Sequence, residues 1–159
     1  MNTLTKILIL IFSLTLFGCG GNDKKEEVPY GKKEPVKTES KVPASERVEL
    51  SNKGVGSITK VDLPLVVDNE LAAHGKDVYD KLCTACHKAE KKFIGPSPKG
   101  ILNRRSPEWV MNMILDPEKM VKEDQLARDL LMEFNGSPMA NQNLTQEEAR
   151  AVLEYFRTL

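Results

Sequence analysis

The sequence predicts an all-α domain of about four helices, preceded by a disordered tether. Three observations support this: helical spacing of apolar residues in 66–159, capping residues before those stretches, and no strand pattern within them. The 159-residue chain balances 23 Lys+Arg against 23 Asp+Glu. Because this balance produces no overall basic field, we expect no nucleic-acid partner.

Residues 1–18 have the layout of a secretory signal peptide, in which Lys6 precedes a nearly unbroken apolar run. The run is too short to span a bilayer, which takes about 20 helical residues. Residues 16–19 resemble the bacterial lipobox, which implies that Cys19 is lipidated and holds the domain at a membrane in the periplasm. The absence of an aspartate after Cys19 favours the outer membrane over the inner. A plain signal peptide with a chance cysteine is the alternative.

Residues 19–65 are predicted to be the lipidated cysteine and a flexible charged linker. Residues 20–65 hold nine positive and eight negative charges, four prolines and few large apolar side chains. Such a composition buries too little apolar surface to offset the entropy of ordering. We therefore expect the folded domain to occupy residues 66–159, with 58–67 as its ordered leader.

The first two predicted helices lie on either side of the central motif. The first extends from about Asn69 to Leu82 and leads directly into that motif. The second has Ser106 as N-cap and Pro107 at its first position, and it ends at Asp116 before a proline.

Two further helices are predicted towards the end of the chain. One extends from about Asp124 to Phe134, and Gly136 stops it. The last begins at Thr145, where Glu148 completes a capping box.

The motif Cys83-Thr84-Ala85-Cys86-His87 has the spacing of c-type haem attachment. Two thiols two residues apart match the two vinyl groups of haem, and the following imidazole then lies beneath the iron. A thioredoxin-like redox pair would need a βαβ context, which the sequence lacks. A zinc site would need another ligand, for which His74 is the spare histidine.

Around this motif, residues 66–159 resemble the small single-haem cytochromes c (class I-like). The residues that carry the resemblance are Gly75, Tyr79, Gly95, Pro96, Gly100, Arg104 and Tyr155. It implies a cytochrome c-like fold around one covalent haem c. It also implies that Gly75 and Tyr79 lie where the first and last helices cross. The Pro96 carbonyl is expected to accept a hydrogen bond from His87, and Arg104 to pair with a haem propionate.

His87 and Met139 are the expected iron ligands. Met139 lies in a loop rich in Gly, Pro and Asn, directly before the last helix, where the family has its ligand methionine. Here Pro138 precedes the methionine instead of following it. Met132 and an open coordination site are the alternatives, and His74 is expected to be solvated or to cap a helix.

For several other side chains the sequence is consistent with two different roles. Trp109 is either core or a propionate hydrogen-bond donor, and Arg104 and Arg105 are either propionate partners or surface charges. Four lysines near the motif either steer docking at the haem edge or are merely solvated: Lys88, Lys91, Lys92 and Lys99.

The resemblance implies an electron carrier with a redox donor and acceptor and no small-molecule substrate. Two axial ligands leave no coordination site for substrate, so we expect no enzyme activity. Residues 104–114 look like lipoprotein cytochromes found with nitrous-oxide reductase systems, which suggests that reductase as acceptor. The alternative is a haem-based gas sensor with a labile Met139; a peroxidase ranks behind both.

Overall fold

The computed structural model describes residues 41–159; the predicted signal peptide, Cys19 and the first part of the linker lie outside the described residues. Five α-helices follow one another: α1 (Asn69–Leu82), α2 (Pro107–Leu115), α3 (Pro117–Glu123), α4 (Gln125–Glu133) and α5 (Gln146–Phe156). A 3₁₀ turn occupies Ile101–Asn103. No strand forms in the described range, so the predicted all-α class is confirmed. Within 41–159, every helix is too short or too polar to cross a bilayer.

The helix ends follow the predicted caps. Ser106 accepts a hydrogen bond from the Trp109 N–H at the start of α2, and Thr145 and Glu148 form the reciprocal capping box of α5. After α4, Gly136 has a φ of 72°, and its N–H donates to the Leu131 carbonyl at 2.8 Å. The left-handed residue that ends the helix is Asn135, which has a φ of 58° and donates its N–H to the Met132 carbonyl at 3.2 Å. The stop therefore comes one residue before the predicted Gly136.

The structure contains one helix that the sequence analysis missed. Asp116 closes α2 and also caps α3, because its side chain accepts from the Lys119 N–H at 3.1 Å. Pro117 occupies the first position of α3, where its missing N–H costs nothing. The same proline therefore ends one helix and begins the next.

Helices α1 and α5 cross at backbone contact. A Cβ atom built on Gly75 would lie 1.9 Å from the carbonyl oxygen of Ala151, so only glycine allows this approach. Beside the crossing, the ring of Tyr79 packs against Tyr155 and Phe156, with centroids 5.3 and 5.7 Å apart. The implied crossing of the first and last helices is present.

A buried carboxylate fixes the start of α1 to α5. Glu154 is completely buried and accepts from the Asp68 N–H at 2.9 Å. Arg150 and Arg157 contact its two oxygens at 2.5 and 2.6 Å. Burial alone raises the pKa of Glu154, but the hydrogen bond from Asp68 and the two arginines outweigh it and lower the pKa below 4.5. The group is therefore ionised in the folded protein at neutral pH.

The predicted boundary at residue 66 is wrong, because residues 41–65 pack against the helices. We call this segment the strap. Its Ser45 N–H donates to Glu133 on α4 at 2.8 Å, and the Ser45 hydroxyl donates to the same carboxylate at 2.5 Å. Ala44 and Ile58 are buried. Val55, Val61 and Leu63 pack against the same core. The linker-like composition was misleading because these few apolar residues are supplemented by polar contacts to residues far along the chain.

Asn112 holds the middle of the strap. This buried side chain on α2 accepts from the Ile58 N–H at 3.0 Å and donates to the Ile58 carbonyl at 2.9 Å. It also donates to the Lys53 carbonyl at 3.0 Å. One amide thus satisfies three backbone groups of a segment without regular structure, which supports the prediction of an ordered leader near residue 58.

Candidate functional site

The attachment motif begins where α1 ends. The Cys83 N–H still donates to the Tyr79 carbonyl, and the chain then turns so that the N–H groups of Cys86 and His87 both bond the Cys83 carbonyl, at 3.1 and 2.8 Å. The Thr84 hydroxyl donates to the Asp80 carbonyl at 2.8 Å. This turn places both sulfurs and the imidazole on one short segment.

The imidazole of His87 is held in one orientation. Its Nδ1 lies 2.8 Å from the carbonyl oxygen of Pro96. A carbonyl can only accept, so Nδ1 carries the hydrogen and Nε2 keeps its lone pair. A Cβ atom on Gly95 would lie 2.4 Å from the ring carbon Cε1 of His87. Gly95 therefore leaves room for the ring, and Pro96 selects the tautomer that can bind iron through Nε2.

A largely apolar cavity of about 150 Å³ adjoins the motif. Cys83, Cys86 and His87 lie on its wall, and so does Met139. Leu130, Val152 and Phe156 from α4 and α5 supply part of the apolar surface. This site fits a haem: its walls are apolar, its imidazole is oriented, and its two thiols could form thioether bonds. Cys83 and Cys86 would supply those bonds.

Two methionines border the cavity. Met139 comes from the loop between α4 and α5, as expected, and Met113 comes from α2. The alternative ligand Met132 is 74% exposed and does not line the cavity. Met113 lies at helical spacing among the apolar residues of α2, and nothing in that spacing distinguishes a core thioether from one that faces a cofactor.

Trp109 is a core residue, and its indole N–H already has a hydrogen-bond acceptor within the protein. It is 3% exposed, and its indole Nε1–H donates to the Asp124 carboxylate at 3.1 Å. The ring still borders the cavity. Trp109 therefore contributes apolar surface, and the structure does not support the alternative of a propionate donor.

Arg104 also borders the cavity. Its Nη1 donates to the carbonyls of Lys99 and Gly100 at 3.3 and 3.2 Å. Its Nε is buried and has no hydrogen-bond partner within residues 41–159. A free buried donor next to an apolar cavity matches a ligand that brings its own acceptor, as a haem propionate does.

The predicted docking lysines mostly make contacts within the chain. Lys88 lies over the Phe93 ring, Lys92 lies 3.7 Å from Glu133, and Lys99 pairs with Glu90 at 2.5 Å. Lys91 is exposed. Since Lys92 and Lys99 each neutralise a carboxylate, the lysines form a weaker positive field than their number suggests.

The exposed surface around the motif is partly apolar. Leu82, Phe93 and Ile94 are each 40–50% exposed, and Cys86 is exposed as well. Cys83 is less accessible, and its burial raises the pKa of the free thiol to about 11. His74 is exposed on α1 and does not line the cavity.

Comparison with known proteins also indicates a haem-binding protein. A family model described as cytochrome c matches residues 72–159. The chain is similar to a solved cytochrome c from Rhodothermus marinus, with 34% identity, a TM-score of 0.63, and coverage of 73% of this chain and 92% of that one. The search of curated proteins found no match.

Two engineered forms of the Rhodothermus marinus protein are similar to the same extent. One has 33% identity and a TM-score of 0.63. The other, bound to a carbene intermediate, has 33% identity and a TM-score of 0.60. In both cases 73% of this chain and 93% of the other are covered.

Proposed function

Because this chain belongs to the cytochrome c family, we propose that it is a membrane-tethered carrier of single electrons between redox proteins of the bacterial cell envelope. Membership implies one covalent haem c and haem-based electron transfer. The observation that carries the proposal is the cavity wall that brings Cys83, Cys86, His87 and Met139 together.

The side chains around the cavity have different roles in electron transfer. The bound haem supplies an iron that takes up and releases one electron. When haem is bound, His87, oriented by Pro96, would bind the iron through Nε2, and we propose that the sulfur of Met139 would be the second protein ligand. Because two protein ligands would leave no place on the iron for a substrate, we propose no substrate and no catalytic role for this chain.

Contact with redox partners is proposed at the exposed rim of the attachment turn. Leu82, Phe93 and Ile94 supply apolar contact area there, while Lys91 supplies an unneutralised charge. If charge steers docking, electron transfer to an acidic partner slows as the salt concentration rises. The resemblance of residues 104–114 supports nitrous-oxide reductase as acceptor, and stopped-flow mixing with that enzyme measures the rate directly.

The test of the carrier uses the full-length protein from a host that attaches haem c. Its mass should exceed that of the polypeptide by one haem, and voltammetry should show one reversible one-electron couple. Met139→Ala should abolish the iron–thioether absorption band of the oxidised protein, whereas Met132→Ala, at an exposed position, should not. Loss of that band in Met113→Ala alone would transfer the role of ligand to Met113.

One observation favours the gas sensor as a second candidate. The hydrogen bonds shown for residues 138–144 are local, such as that from the Asn143 N–H to the Asn141 side chain at 2.8 Å. A loop held this way releases its methionine more easily than a helix does. Rapid carbon monoxide binding by the reduced protein would support the sensor, and slow or absent binding supports the carrier.

We propose that Cys19 carries the lipid that keeps the protein at the periplasmic side of the cell envelope, with the outer membrane favoured. Cells labelled with radioactive palmitate should incorporate label into the full chain. Cys19→Ser should lose the label and leave the membrane fraction, while Gly21→Ala, two residues away, should keep both. Label retained in Cys19→Ser would contradict the anchor.

A further inference from the structure

The loop that carries Met139 occupies residues 134–145, between α4 and α5, and we call it the Met139 loop. In the described part of the chain, the hydrogen bonds of residues 138–144 stay inside this loop, as that from the Asn143 N–H to the Asn141 side chain does. The middle of the loop is therefore not bonded to the helices around it. Its position depends on how its two ends are held.

The strap contacts the first end of the Met139 loop. Glu133 is the last residue of α4, and its carboxylate accepts from the Ser45 N–H at 2.8 Å and from the Ser45 hydroxyl at 2.5 Å. Burial alone raises the pKa of Glu133, but the bonds from Ser45 and the nearby Lys92 outweigh it and lower the pKa below 4.5. The carboxylate is therefore ionised, and both of its bonds to Ser45 are charge-assisted.

Ser45 is itself fixed from its other side. Arg105 is 1% exposed, and its Nε is buried without a partner in residues 41–159. Its two terminal nitrogens donate to the carbonyls of Ala44 and Arg47, which lie on either side of Ser45. Because these bonds leave Ser45 little freedom to move, Ser45 positions Glu133 and, with it, the start of the Met139 loop.

The strap also reaches the second end of the loop. Gly56 and Ser57 border one cleft with residues 144–146, and the Gln146 side chain donates to the Ser57 hydroxyl at 3.4 Å. Gln146 is the first residue of α5. The strap is held here by α2, because a Cβ atom on Gly56 would lie 2.2 Å from the side-chain oxygen of Asn112. Only glycine allows the strap to lie this close.

We infer that the strap holds both ends of the Met139 loop and thereby sets how readily Met139 leaves the iron. The inference rests on the proposed function, in which Met139 is an iron ligand. Release of either end gives the loop more conformations in which the thioether is detached, so the detached state gains entropy. The strap precedes the matched range 72–159, so this restraint comes from a part of the chain that the family model does not cover.

The test measures how fast imidazole displaces Met139 in the oxidised full-length holoprotein. Glu133→Gln replaces one carboxylate oxygen by an amide nitrogen that cannot accept, and it should raise the rate about tenfold. Gln146→Ala removes a longer and more exposed contact, so it should raise the rate about twofold. Glu123→Gln, at an exposed site at the end of α3, should leave the rate unchanged. Unchanged rates in both Glu133→Gln and Gln146→Ala would overturn the inference.

Two further variants separate the strap from the other neighbour of Glu133. Ser45→Ala removes the hydroxyl donor and leaves the charges in place, so it should accelerate displacement even if Glu133→Gln yields no holoprotein. Lys92→Ala removes the ammonium group that lies 3.7 Å from the Glu133 carboxylate. Acceleration in Lys92→Ala without acceleration in Ser45→Ala would assign the effect to the lysine and overturn the role of the strap.

Hydrogen exchange gives a readout that does not depend on the iron ligand. The N–H groups of residues 134–137 are hydrogen-bonded at the end of α4, and Glu133→Gln should accelerate their exchange while α1 keeps its protection. Unchanged exchange there would overturn the inference. If imidazole binds the unaltered protein as fast as it binds Met139→Ala, the proposed ligand is wrong, and hydrogen exchange alone then decides whether the strap holds the loop.

Discussion

Gly75 and Ala151 meet with no space for a side chain between them. The Cβ of any other residue at position 75 would lie 1.9 Å from the Ala151 carbonyl oxygen and 2.2 Å from its carbon. Backbone on both sides prevents a small rotamer change from relieving the clash. The aromatic contacts of Tyr79 depend on the same separation of α1 and α5, so the crossing also shapes one wall of the cavity.

Gly75→Ala should lower the free energy of unfolding of the holoprotein by about 3 kcal/mol, because α1 and α5 must separate to admit the methyl group. Guanidinium unfolding followed at the haem absorption measures this. Ala73→Ser adds one atom at an exposed position of α1 and should change stability by less than ~0.5 kcal/mol. Equal stability of the two variants would contradict the tight crossing.

Gly95→Ala should disturb the axial imidazole. The new methyl group would lie 2.4 Å from the Cε1 atom of His87, so the ring must turn away from the Pro96 carbonyl. We expect a lower yield of holoprotein and a partly high-spin absorption spectrum. Lys91→Ala in the same loop is exposed and should behave like the unaltered protein. A fully low-spin Gly95→Ala protein at normal yield is the contrary result.

Glu154→Gln should destabilise the protein by about 3 kcal/mol at pH 7, because Arg150 and Arg157 lose their buried partner. The pKa of Glu154 is lowered in the folded state, so its contribution is complete above the unfolded pKa and is lost as the pH falls through the folded value. The difference between the two proteins should therefore narrow below pH ~4. Denaturant unfolding at both pH values measures it, with exposed Glu123→Gln as control.

Asn112→Ala should free the strap. Three backbone groups at Lys53 and Ile58 lose their partner, and each unsatisfied buried group costs ~1–3 kcal/mol. Hydrogen exchange should accelerate at residues 53–58 while α1 and α5 keep their protection. Asn103→Ala, at an exposed position, should leave exchange in the strap unchanged. Uniform acceleration through the whole protein would mean that the strap does not open by itself.

The parts of the fold that could be predicted depend on short-range chemistry. The caps at Ser106 and Thr145 and the stop at Asn135 and Gly136 are each decided within a few residues, so the sequence displays them locally. The missed helix α3 had a local signal as well. Asp116-Pro117-Glu118 repeats the cap-proline-acid order of Ser106-Pro107-Glu108, but the proline was read only as a helix stop.

The strap was not predictable by the same reasoning. Ser45 and Glu133 are 88 positions apart, and Ile58 and Asn112 are 54 apart. A serine, a charged residue and an amide in a proline-containing segment look alike whether they are solvated or paired across the fold. The orphan Nε of Arg105 is equally invisible, since burial of a guanidinium depends on which distant carbonyls surround it.

The anchors of the strap have a consequence for assembly. Asp129 and Glu133 follow the attachment motif by more than 40 positions, whereas the strap precedes it. A polypeptide that emerges amino end first presents its two thiols before the strap has anything to hold. Because Leu130, Val152 and Phe156 of the carboxyl-terminal helices also wall the cavity, neither the strap nor the cavity can be complete until those helices have been made.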